Sequence, residues 1–165
     1  MHIATLANLA SGLAVIVAVI FGSLQVQHMA RTRALFTAAE LVRAMLTREF
    51  SLSVRKVLTL PDHADPELIR QNEEMADAVL SLSHVFESLG VLVFHRVIPL
   101  HLVDDLMGGY IRQCWRKIRP YVEVRRKELG ISYGEWLQWL AERIEQFPSP
   151  GKQEGAHFSH RDWKP

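Results

Sequence analysis

Eight histidines and one cysteine are the side chains of this sequence best suited to chemistry. His157 and His160 stand three apart, a spacing that places two imidazoles on one helical turn. The nearest carboxylate is Asp162, and no cysteine is close. Zinc takes three or four protein ligands, so this pair, in a Pro/Gly-rich segment, falls short of a metal site. His95 and His101 flank Pro99 and could meet Asp104 or Asp105; hydrogen bonding within the fold explains them more simply than catalysis. His28 follows an apolar run and is of a type that ligates porphyrins, though nothing else in the sequence supports that role. Cys114 sits in Gln113-Cys114-Trp115-Arg116-Lys117, where the cations would favour a thiolate, but a lone Cys beside Trp is more often a small packed residue. An enzyme would need a pocket that joins His95, His101, Asp104 and Cys114. No G-x-S-x-G, P-loop, G-x-G-x-x-G or H-E-x-x-H pattern occurs. The reading is of a protein that is not an enzyme, with no catalytic residue, no metal and no cofactor.

The elements around these residues are dominated by one feature. The chain has 19 Lys and Arg and 18 Asp and Glu, and all of them lie at or after Arg31. Ile3–Leu24 is a run of 22 aliphatic, small or weakly polar residues. About 20 apolar residues in a helix cross the roughly 30 Å hydrocarbon core of a bilayer. A cleaved signal peptide would open on basic residues and carry a shorter apolar core, and the remaining chain is too small to surround so long a helix. Residues 1–28 are therefore expected to form a single transmembrane anchor. Residues 31–60 hold six basic side chains, Arg31 and Arg33 first, against two acidic ones. Cationic flanks stay cytoplasmic. The N-terminus is expected outside and the bulk of the chain in the cytoplasm, where an unpartnered Cys114 suits a reducing compartment. Within the anchor Ala10, Ala14, Ala18 and Gly22 recur every four residues, with Ala7 and Ser11 beside them. Such a stripe lets a second helix approach closely.

Residues 29–147 read as a cytoplasmic bundle of about four helices with no alternating β pattern. The first is expected to continue from the membrane to Leu60, because residues 25–60 contain neither Gly nor Pro. Its apolar positions are Leu35, Ala39, Val42, Leu46, Phe50 and Val54. Pro61–Pro66 is a turn, with Asp65 as N-cap and Pro66 in the first helical position. The second helix carries the ridge Met75, Val79, Leu82, Phe86, Leu89 and Val93. The third runs from about His101 to Leu129, with Gly108, Gly109 and Pro120 as weak points and Gly130 as C-cap. The fourth starts at Ser132 with Glu135 at capping-box distance, and Trp136, Leu140, Ile144 and Phe147 form its apolar face. Val91–Val103 cannot be a second span, since Arg96, His95, His101 and Pro99 interrupt it.

Charge is segregated. Asp62–Glu87 holds seven acidic residues and one Arg, and Arg112–Lys127 holds seven basic residues and one Glu. Either two antiparallel helices face each other with complementary charge, or Arg112, Arg116, Lys117 and Arg119, with Trp115, rest on lipid headgroups or a partner. A net charge of +1 argues against nucleic acid. Residues 148–165 form an irregular Pro/Gly-rich tail that cannot build a core; Phe158 and Trp163 are its candidate partner contacts.

The layout of an N-terminal membrane helix, the stretch Phe86-Glu87-Ser88-Leu89-Gly90-Val91-Leu92 and the basic segment Cys114-Trp115-Arg116-Lys117-Ile118 resembles a bacterial family known as domain of unknown function 4760. The resemblance covers about residues 3–145. It implies a bacterial inner-membrane context and transfers no catalytic residue. The sequence as a whole leads to the expectation of an accessory or structural single-pass subunit of a larger inner-membrane complex, respiratory or photosynthetic, whose partners are lipids and other subunits. The alternative is a membrane-tethered regulator whose helical domain binds a cytoplasmic protein.

Overall fold

A computed structural model describes the backbone of residues 2–45, 47–149, 151 and 155–164, with side chains throughout except at 2–11, 27, 30, 31, 33–35, 37, 38, 44 and 45. Every regular element among the described residues is helical, as the sequence predicts: α1 (His2–Met45), α2 (Arg48–Leu58), α3 (Pro66–Arg70), α4 (Glu73–Phe94), α5 (Leu100–Leu129), α6 (Glu135–Gln146) and α7 (Ala156–Ser159). The chain forms two compact units, Met1–Ala39 and Glu40–Pro165; the division expected after residue 28 falls inside the first.

The second unit is organised on α4, which packs against α2, α3, α5 and α6. Val79, Leu82, Phe86, Leu89 and Val93 are buried along it at the predicted spacing, and Met75 is packed against the edge of the core. Phe50 of α2 meets Phe86 edge-on, ring centroids 6.3 Å apart. Each fully buried side chain of this size contributes about 1.5–3 kcal/mol.

Three helix boundaries differ from the sequence reading. The first helix does not run to Leu60. It ends at Met45, and Thr47 caps α2 by accepting from the Phe50 N–H at 3.2 Å. The apolar phase shifts too: Leu41 is buried, while Ala39 and Val42 are exposed. Leu46 lies outside the described residues, as does the Leu35 side chain. The second predicted helix is two. Asp65 and Pro66 start α3 as expected, but Asn72 then caps α4 by accepting from the Met75 N–H at 3.0 Å. At the start of α6 the predicted Ser132 capping box is absent. Gly134 is the N-cap at φ 68° without a side-chain cap. Phe147 is also off the core, 57% exposed, and Trp136 is half-buried; Leu137, Leu140, Ala141 and Ile144 form the packed face instead.

The reason is tertiary. Helix starts leave N–H groups unpaired, and here Glu87 of α4 supplies the acceptor: the Leu137 N–H donates to its Oε1 at 2.7 Å. A Cβ on Gly90, one residue short of a turn further on, would lie 2.5 Å from the Trp136 carbonyl oxygen. Gly90 therefore sets how closely α6 approaches α4. Arg126 holds the preceding turn, donating through Nε to the Tyr133 carbonyl at 2.7 Å and through Nη2 to the Gly134 carbonyl at 2.9 Å. Gly134 fits because any side chain there would meet Val122 Cγ1 at 2.6 Å.

Pro120 does not break α5. It lacks an N–H, so the Arg116 carbonyl loses its usual i+4 donor. The His63 N–H donates to that carbonyl at 3.0 Å, and the Ala64 N–H donates to the Lys117 carbonyl at 3.0 Å. The 60–64 turn thus repairs the helix at the point where proline opens it.

Glu87→Ala should lower the stability of the full chain in detergent by about 1 kcal/mol, the usual value of a lost helix cap, whereas Glu87→Gln keeps the acceptor and should lose less. Thermal unfolding followed by circular dichroism checks this. Burial raises the Glu87 pKa, against the opposing pull of the Leu137 and Trp136 N–H groups. A raised folded-state value means that this group's stabilising contribution is full at low pH and declines as pH rises through that value. The Gln variant should lose this part of the pH dependence. Gly90→Ala should cost about 1–3 kcal/mol by overpacking, with the same measurement as the test.

Candidate functional site

Helix α1 presents the most unusual surface. Leu13, Val15, Ile16, Val17, Val19, Ile20 and Phe21 are each more than half exposed. Successive helical residues point about 100° apart, so these side chains cover the helix all round except for one sector of about 120°, which small residues occupy. Ala14, Ala18 and Gly22 share one face and are exposed; a Cβ at Gly12 or Gly22 would meet nothing within 4 Å. Ala7, Ala10 and Ser11 lie in the same helix, their side chains outside the described residues, as are those of Arg31 and Arg33. The polar side chain Ser23 is satisfied locally, its Oγ donating to the Val19 carbonyl at 2.8 Å.

Of the described helices, α4 is long and apolar enough to cross a membrane, with a mean hydropathy of 1.5, and Gly12–Val26 is a shorter apolar stretch. The environments of the two differ. The buried residues of α4 pack on four other helices, as expected of the core helix of a bundle, whereas the apolar side chains of 13–21 are exposed.

The basic helix α5 is largely engaged within the chain. Arg116 Nε lies 2.9 Å from Asp62 Oδ2, and Lys117 Nζ lies 3.3 Å from Asp62 Oδ1 while also donating to the Leu60 carbonyl. Arg119 pairs with Glu123 at 2.7 Å and Arg112 with Asp104 at 2.9 Å. Within the acidic segment, Glu74 meets Lys56 of α2 at 2.6 Å. Trp115 corrects the sequence reading: at 8% exposure it belongs to the core rather than to a surface for lipid or a partner. The face of α5 that carries Met107, Ile111, Cys114, Ile118 and Val122 inward takes Trp115 with it.

Asp104 is the central polar group of the unit. It is wholly buried. Oδ1 accepts from Arg112 Nη1 at 2.9 Å, and Oδ2 accepts from the Ser149 backbone N–H at 2.8 Å. The Ser149 hydroxyl donates to the His101 carbonyl at 3.1 Å. The carboxylate occupies space left open by Gly108, where a Cβ would stand 1.9 Å from Oδ1. These bonds tie the start of the tail to α5. Beyond them opens a cleft of about 800 Å³ whose lining includes His101, Asp105, Ser149 and His160. His157 turns to Phe158, centroids 5.2 Å apart. Among the described residues no group of three His, Cys, Asp or Glu is placed to hold a metal. Phe158 and Trp163 are 62% and 73% exposed.

The residues that a catalytic pocket would need are dispersed. His101 lines the cleft. Asp104 is closed off beneath it, Cys114 is in the core, and His95 is the exposed C-cap of α4, edge-on to Phe94. Burial pushes the Cys114 thiol up to about 12, against the small opposing effect of Lys117, so the basic neighbours do not make it a thiolate. Neither Glu87 as a cap nor Asp104 as a clasp had a local sequence signal, since both act on residues 45 or more positions away. Cys114 should resist alkylation by iodoacetamide at pH 8 in the folded chain and react only in denaturant, as read by mass spectrometry.

A family model described as a domain of unknown function (DUF4760) matches residues 6–144. No curated protein and no solved structure matches the chain. The matched span opens in α1, closes in α6 and takes in both segments that carry the resemblance. Phe86–Leu92 supplies Phe86 and Leu89 to the core, Glu87 to the α6 cap and Gly90 to the close approach. Cys114–Ile118 supplies three core side chains and the two cations that hold the 60–64 turn. The match covers most of the chain, which therefore belongs to the DUF4760 family, a domain of unknown function.

Proposed function

We propose that this chain is a non-catalytic accessory subunit of a larger bacterial inner-membrane complex, anchored by its N-terminal helix. The observation that supports it most is the exposure of apolar side chains around residues 13–21. A helix that is apolar all round belongs in a protein core or in lipid. Seven such side chains, at about 1.5–3 kcal/mol each, amount to on the order of 10 kcal/mol, comparable to the net stability of a whole domain. Water is an untenable environment for that surface, and lipid removes the cost. The internal hydrogen bond of Ser23 suits the same medium, where unpaired polar groups are expensive. The excess of Arg and Lys in residues 31–60 supports a cytoplasmic position for the second unit. Inclusion of residues 6–28 in the family match supports the anchor as part of the functional unit rather than a removable leader.

The subunit role rests on two exposed features. The stripe of Ala14, Ala18 and Gly22 leaves room for a neighbouring helix. The exposed rings of Phe158 and Trp163 suit a partner, since aromatic anchors dominate interface energetics. In this reading the anchor packs at the edge of a membrane core and the tail grips a neighbour.

The full chain should remain in bacterial membranes after a high-salt wash and after alkaline carbonate. Release into the supernatant would remove the anchor reading. After gentle detergent extraction from native membranes it should elute from a sizing column with a larger assembly. Elution as an isolated monomer would remove the subunit reading and favour the tethered regulator.

A further inference from the structure

The α4–α5 turn carries a surface that the anchor alone does not account for. Helix α4 ends in a Schellman motif: the Val97 N–H donates to the Leu92 carbonyl at 2.9 Å and the Arg96 N–H to the Val93 carbonyl at 2.9 Å. The residue after the cap in this motif adopts the left-handed conformation and is usually glycine. Here it is Arg96, at φ 57°. Phe94 and Val97 on either side are 52% and 55% exposed, and His95 and Arg96 are exposed as well. The Phe94 ring continues into two half-buried indoles of α6, 4.9 Å from Trp136 and 5.9 Å from Trp139. Arg96 has no ion-pair partner among the described residues. Helix α5 differs in this respect: four of its cations are paired with Asp62, Asp104 and Glu123, and its Trp115 is buried.

We infer that the Phe94–Val97 turn, with Trp136 and Trp139, docks on the headgroup region of an anionic bilayer. Indole and phenyl rings favour the boundary between headgroups and acyl chains, where their apolar bodies leave water. A free guanidinium beside them meets lipid phosphate, and the charge of Arg96 is complementary to an anionic leaflet. The strained position of Arg96 keeps this cation at the tip of the turn, where glycine would leave none. The inference rests on the anchor reading in one respect: a tethered chain holds the turn at high effective concentration near lipid, so a small patch suffices.

The test uses the full chain carrying Val97→Cys, labelled with an environment-sensitive dye. Cys114 is buried and does not compete for label. An Asp77→Cys chain, labelled at the exposed opposite end of α4, is the control. Both are reconstituted into phosphatidylcholine vesicles with and without phosphatidylglycerol. Brominated lipid should quench the label at position 97 several-fold more than the label at 77, and aqueous iodide should do the reverse. The contrast should grow with phosphatidylglycerol, and Arg96→Glu should abolish that growth. If carbonate leaves the chain in the vesicles and iodide reaches both labels equally, the docking inference fails and the anchor stands. If carbonate releases the chain, both fail. If position 97 is shielded only in native membranes and stays open to iodide in pure lipid, the occupant is a protein and the lipid inference is overturned.

Discussion

The approach of α6 to α4 governs the arrangement of the second unit. Two residues in one turn of α4 set it. Glu87 offers a carboxylate to the unpaired N–H of Leu137, and Gly90 removes the Cβ that would collide with the Trp136 carbonyl. Neither helix could close this gap alone, because the start of α6 lacks a side-chain cap of its own. Once α6 is seated, Leu137, Leu140, Ala141 and Ile144 complete the core. Its far end then brings Ser149 to the buried Asp104, and its near end brings Trp136 and Trp139 to Phe94. The tail clasp and the aromatic surface are thus both consequences of one close helix contact.

The polar groups divide by burial, and burial decides what each contributes. Ion pairs such as Arg119–Glu123, with both side chains about half exposed, contribute about 0–1 kcal/mol and weaken with salt. Asp104 is different. Its carboxylate is fully buried and bonded to a guanidinium and a backbone N–H. Removing one partner of such a group leaves a charge without compensation, which costs several kcal/mol. The loop that joins α2 to α3 belongs to the same class of specific contact, because its N–H groups complete the hydrogen bonding of the helix that Pro120 interrupts. The basic character of α5 is therefore spent mostly inside the fold. Lys117 pairs with Asp62 while only 13% exposed, so it holds a turn more than it advertises a charge.

Periodicity made the helical class, the α4 ridge and the Asp65–Pro66 start legible, because these depend on residues within a few positions of each other. The failures share one cause. The separate start of α2 at its Thr47 cap, the split at Asn72 and the late start of α6 involve local caps or distant acceptors that compete with an unbroken apolar pattern. A capping box at Ser132 is a sound local expectation, but a carboxylate 50 positions away satisfies Leu137 instead. The surface placement of Trp115 failed for a similar reason. Its basic neighbours suggested an outward face, while the stripe that includes Cys114 and Ile118 turns inward. The cleft lined by His101 and His160 was not legible at all, since only the docked tail creates it.

Among the described residues length and hydropathy select α4 ahead of the shorter apolar stretch Gly12–Val26, yet the two sequences answer different physical demands. Helix α4 starts with Glu73 and Glu74, carries Asp77 and Glu87, and has partners for its apolar face from four helices. Its glutamate at position 87 is needed where it stands, half-buried against another helix end. In a bilayer that carboxylate would lose its role and α6 its cap. The N-terminal run has the opposite constitution. It carries no charge, its hydroxyl at Ser23 is returned to its own backbone, and its exposed side chains leave no polar face. A core helix needs a few polar residues to connect it with its neighbours, whereas a lipid-facing helix must satisfy every polar group by itself. By that criterion, internal sufficiency rather than mean hydropathy distinguishes the two: Glu87 ties α4 to the start of α6, whereas the Ser23 hydroxyl turns back on its own helix.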